Sequence, residues 1–187
     1  MSDAFESRGR ALEDQFFHQL DQQLLDKFRN KLANQESREA LKSSSGIQDE
    51  ELLDTLVSMN IRAESLASLS IVPLVAVAWA DGKMEEGERE AVLKAAESRG
   101  MAAGSAGHHM VEAWLSSKPA HELFEVWQAY VGALKETMDS GAFEKLKGEI
   151  MAQAREVAES AGGILGLANR ISPIEKAKLQ ELEASFQ

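Results

Sequence analysis

Residues Ile71 to Glu90 read IVPLVAVAWADGKMEEGERE, an apolar decapeptide followed at once by an acidic one. No charged side chain interrupts Ile71 to Ala80, so a helix built from it must be buried on nearly every side rather than along one stripe. Asp81-Gly82 stops that helix, and the acidic residues behind it open the next. A short helix buried all round needs other packed elements about it. With the helical patterns of the rest of the chain, the expected fold is all-α, a compact multi-helix bundle with this segment at its centre.

The chain has 187 residues, enough for one well-buried domain without disulfide or metal staples. It has no cysteine, which removes disulfide scaffolds, thiolate metal sites and thiol catalysis together and fits a reducing compartment. The start, MSDAFESRGR, lacks an apolar signal core, and the run at Ile71 is far short of the ~20 residues of a membrane span. These features lead to the expectation of a soluble cytoplasmic protein with no membrane span. The formal net charge is −11, and acids exceed bases by 12 to 5 between residues 46 and 115. Such a surface repels phosphate backbones, so nucleic acid is excluded as a partner, while cations and basic protein surfaces are favoured.

Upstream, Leu12, Phe16, Leu20, Leu24, Phe28 and Leu32 recur at four-residue steps, joined by Phe17 and Leu25. They describe one long amphipathic helix, uninterrupted by Gly or Pro from Ala11 to Ser45. Strict heptads are not kept, so packing within the chain is expected before pairing with another, although a homo-oligomer is compatible with the pattern. Ser43-Ser44-Ser45-Gly46 marks a boundary. It divides an N-terminal extension, 1–45, from a helical domain, 46–187. Two similar units follow, GIQDEEL from Gly46 and NIRAESL from Asn60, each with a residue tolerant of left-handed φ, then Ile, then an acidic first turn. They predict the starts of two short helices, with Pro73 in the first turn of the apolar helix behind a Ser70 N-cap.

Farther on, GMAAGSAG at 100–107 reads as a connector, and Lys118-Pro119 and Asp139-Ser140-Gly141 as further breaks. Between them Leu123, Phe124, Trp127, Tyr130, Val131 and Leu134 form a wide helical face for the core. Phe143, Leu146, Ile150 and Val157 form another.

Asp81 to Glu88 matches the second half of a calcium-binding EF loop, but Val77 and Trp79 stand where the first ligands belong. Helix capping accounts for the same residues, with Gly82 ending one helix and Glu85 and Glu88 starting the next. PLVAVAWADGKMEEGEREAVLKAA resembles the repeat of the tellurite-resistance TerB-like proteins, whose helices meet at an Ala-Asp-Gly turn before an acidic helix start. An echo recurs at Ala168 to Lys176, where Ser172, Pro173 and Glu175 form a capping box with Pro at N1. The resemblance implies a two-part helical domain linked to stress responses. It also implies a divalent cation such as calcium at Asp81, Glu85 and Glu88. The echo has Asn169 for the acidic Asp and no following Gly, so the implied site is not symmetric.

His108 with Glu112 and His121 with Glu125 place imidazole and carboxylate one turn apart, a spacing that suits a metal if the two pairs converge. Neither has the Glu-x-x-His form of di-iron bundles, and exposed charge pairing is the simpler account. His18 beside Asp14 and Asp21 is a weaker instance. Gly162-Gly163-Ile164-Leu165-Gly166 is no phosphate loop, since no Gly-Lys-Ser/Thr follows. It reads as a helix stop before an apolar loop. No catalytic triad or paired catalytic carboxylates can be named, so the expectation is a non-catalytic interaction module with protein partners. The alternative is a purely structural module that assembles or docks through its N-terminal helix.

Overall fold

A computed structural model describes the backbone of residues 2–160 and 171–187, with side chains from residue 22 onward. Among these residues the chain is helical throughout, with eight α-helices, one 3-10 segment and no strand. In order these are α1 (Ser2–Ser45), α2 (Glu50–Ser58), the 3-10 segment Ala63–Ile71, α3 (Val72–Ala78), α4 (Glu86–Ser98), α5 (Ala106–Ser116), α6 (Glu122–Thr137), α7 (Ser140–Ser160) and α8 (Pro173–Ala184). No single described helix is long and apolar enough to cross a membrane. The expectation of an all-α bundle with a long N-terminal helix is met.

α3 is the hub, as its composition requires. Val72, Leu74, Val75, Val77 and Ala78 are all at most 1% exposed. The helix touches the 3-10 segment, α4, α6, α7 and α8. Each such side chain is worth ~1.5–3 kcal/mol when buried, which explains how a helix of only seven residues holds its place. A second centre is aromatic. Trp127 of α6 stacks on Phe124 at 5.3 Å between centroids and meets Phe186 edge-on at 5.6 Å, while Phe143 of α7 lies 5.9 Å from Phe186. This cluster fastens the chain's C-terminal end to α6 and α7.

The local signals read from the sequence act as follows. Gly46 and Asn60 adopt φ of 75° and 61°, the left-handed turns expected of them, and the isoleucines behind them, Ile47 and Ile61, are buried. Asp49 caps α2 by accepting from the backbone N–H groups of Glu51 and Leu52 at 2.9 and 3.1 Å. The second unit does not begin an α-helix. It forms the 3-10 segment, which runs without a break into α3, so Ile71 rather than Ser70 stands at the N-cap of α3. Ser70 Oγ instead donates to Ala67 C=O at 2.7 Å, a local bond that leaves it no capping role. Pro73 still falls within the first turn of α3, where its missing N–H costs nothing.

The expectation that the long helix packs along its length against its own domain is not met over residues 22–36. Among the described side chains of α1, the last turns are the anchored ones. Leu41 is fully buried in the common core, Arg38 Nη1 lies 3.4 Å from both Glu50 Oε2 and Asp54 Oδ1, and Lys42 Nζ lies 2.8 Å from Glu50 Oε1. Upstream, residues 22–36 are exposed on every side. The reason is geometric, since 44 helical residues span about 66 Å at 1.5 Å per residue, far more than the body beneath them can cover.

Candidate functional site

The residues implied as cation ligands sit at the junction between α3 and α4, and each has a defined local role. α3 ends at Trp79, and Gly82, with φ of 85°, turns the chain in a conformation that a Cβ would strain. Asp81 Oδ1 accepts from Lys83 N–H at 2.9 Å, closing the turn. Glu88, at the third position of α4, reaches back so that its Oε2 accepts from Glu85 N–H at 2.8 Å. The second junction repeats this bond, with Glu175 Oε2 accepting from Ser172 N–H at 2.6 Å and Ser172 Oγ from Glu175 N–H at 3.2 Å. The capping box read at Ser172, Pro173 and Glu175 is thus present. The part of the echo at Ala168 to Arg170, and the glycine cluster from Gly162, lie outside the described residues.

Both reaching glutamates are buried, Glu88 to 3% exposure and Glu175 to 5%. Burial pushes the Glu88 carboxyl up to about 7; its bond to Glu85 N–H opposes this, and the carboxylates of Glu175, Glu85 and Asp81 add to it. The tertiary structure therefore brings the two junctions within electrostatic reach of one another. The sequence marks both glutamates as the far arms of capping boxes, but the distance between the boxes depends on how α4 and α8 dock.

Among the described residues no three His, Asp or Glu side chains converge in a group able to hold a metal ion. Asp81 Oδ1 and Glu88 Oε2 each accept one backbone N–H. Nor do the two histidine pairs meet. Glu112 Oε2 lies 3.3 Å from His109 Nδ1, its hydrogen-bond partner, and 3.4 Å from His108 Nδ1, which is buried and has no hydrogen-bond partner among the described residues. His121 and Glu125 form a separate exposed pair at 3.8 Å.

The second candidate feature is the free length of α1. Leu24, Leu25, Phe28 and Leu32 are 56, 54, 60 and 45% exposed, and four of the five exposed large apolar side chains among the described residues belong to this one stretch. Lys27, Arg29 and Lys31 are interleaved with them. Large apolar side chains grouped along one helix differ from the single scattered ones of an ordinary surface. No family model matches the chain, and searches of curated proteins and of solved structures likewise find no match.

Proposed function

We infer that the protein is a non-catalytic helical interaction module of TerB-like type, in which the bundle anchors α1 and the free length of α1 docks. The observation that carries this reading is the exposed ridge Leu24, Leu25, Phe28, Leu32 on a helix whose last turns are riveted to the core. The occupant that best fits the ridge is a second copy of α1 running antiparallel. By sequence, residues 2–21 hold five acids and two bases, and residues 22–45 three acids and five bases. Antiparallel pairing sets the acidic half of each helix against the basic half of the other and opposes the helix dipoles. Parallel pairing sets like against like.

The test uses the absence of cysteine. Light scattering on the full chain is expected to give a dimer that Leu24→Glu with Phe28→Glu converts to a monomer of unchanged helicity. With donor and acceptor dyes on Ser2→Cys, an antiparallel pair centred near residue 22 holds the dyes about 60 Å apart and transfers little energy. Strong transfer would show parallel pairing, and a monomer at high protein concentration would reject self-association.

The cation reading draws its support from the negative charge collected around Glu88. It assigns Asp81, Glu85 and Glu88 as the ligands of a divalent ion such as calcium. A saturable rise in melting temperature with millimolar calcium, absent in Asp81→Asn with Glu88→Gln, would support it. No rise would discard it.

A further inference from the structure

Away from both features, a groove of about 310 Å³ opens between α3, the segment 117–121, the start of α6 and α8. That volume is at the lower end of those that hold small organic ligands. Its floor is apolar, with Val72, Val75 and Phe124 all buried. Trp79 adds ring surface, its indole N–H being spent on Trp114 C=O at 2.8 Å. The rim has the opposite character. Among the described residues Lys118, His121 and Lys178 line the groove and no carboxylate does. In a chain with 31 acids and 20 bases this gathers basic groups at one rim, with the carboxylates that pair Lys178 and His121, Glu181 and Glu125, set outside the lining.

Both lysines are held in place. Lys118 Nζ donates to Trp79 C=O at 3.2 Å, at the C-terminal end of α3. Lys178 Nζ stands 5.0 Å over the Phe124 ring and 2.5 Å from Glu181 Oε2, a carboxylate outside the lining. An ammonium group held against an aromatic floor retains protons free to donate to an incoming anion. A neutral apolar ligand would leave these cations unused, and a cationic one would be repelled.

We propose that this groove binds an amphipathic monocarboxylate, its aliphatic chain on Val72, Val75, Trp79 and Phe124 and its carboxylate between Lys118 and Lys178. The chain length is set by the volume, so affinity rises with each methylene until the groove is full. Each methylene buried contributes a factor of about three to four.

Trp79 gives the site its own reporter. Hexanoate, octanoate and decanoate, each below its micelle concentration, are titrated into the full chain and followed by tryptophan fluorescence and calorimetry. Trp79→Phe separates the signal from those of Trp114 and Trp127. Expected are saturable binding, a three- to fourfold gain per methylene, and at least tenfold weaker binding of the alkyl alcohol of equal length. Lys118→Gln, at an exposed residue, with Lys178→Gln, at a half-buried one, their folding checked by circular dichroism, should weaken the carboxylate at least tenfold and leave the alcohol unchanged. Equal affinity for alcohol and carboxylate, an undiminished affinity in the double variant, or no saturation at millimolar decanoate would each overturn the proposal.

Discussion

Replacing Glu88 by glutamine tests the buried junction most directly. The side chain is 3% exposed, and its carboxyl is pushed up to about 7 from an ordinary 4.5. Between those two values the folded protein holds a proton that the unfolded chain has lost. Stability contributed by this group is therefore greatest at and below pH 4.5 and declines as pH rises to 7, because ionising the buried carboxyl favours the unfolded state. At 1.36 kcal/mol per pH unit the full penalty above pH 7 is about 3 kcal/mol. A glutamine amide in its place would keep an oxygen for Glu85 N–H and would carry no charge into the buried site. Glu88→Gln should therefore raise stability above pH 7 by up to about 3 kcal/mol, or roughly 6–12 °C in melting temperature for a chain of this size, and change little at pH 4.5. Urea unfolding of both proteins from pH 4.5 to 8.5 measures the difference in slope. A variant less stable than the parent at pH 8, or one with the same pH dependence, would refute the claim that a buried carboxylate is being ionised at a cost.

Two further substitutions probe the frame that holds these features. Leu41→Ala removes a fully buried leucine joining α1 to the body and should cost about 2–5 kcal/mol in unfolding free energy. Loss below ~1 kcal/mol would mean that the ion pairs of Arg38 and Lys42, rather than Leu41, hold the helix. Gly87→Ala places a Cβ 2.5 Å from the backbone oxygen of Ser160, which must force α4 and α7 apart. A melting temperature lowered by several degrees is expected, with hydrogen exchange faster at the start of α4 and the end of α7; an unchanged melting temperature would show that the contact gives way freely.

Particular residues show how far the sequence reaches. Ile71 to Ala80 announced a helix buried on all sides, and α3 is one, because ten residues without a charge cannot face water on any side at acceptable cost. Gly46, Asn60 and the Ser172–Glu175 capping box were equally readable, since left-handed turns and helix starts are fixed by residues within a few positions of each other. The 3-10 winding of Ala63–Ile71 was not, because its pattern of acid and apolar residues suits either helix.

What only the tertiary structure decided depends on which surfaces meet. The four-residue stripe of α1 established that an apolar ridge exists, but periodicity cannot say what covers it. The fold leaves Leu24, Leu25, Phe28 and Leu32 bare because the body ends near Arg38. Glu88 and Glu175 lie 87 positions apart in the chain and come within electrostatic reach only because α4 and α8 both pack against α3 and α7. The groove that gathers Lys118, Lys178 and Trp79 draws on three distant stretches in the same way. Local chemistry chose the helices and their ends, while the burial of apolar area between distant helices chose their neighbours, and that choice created both the buried acids and the cationic rim.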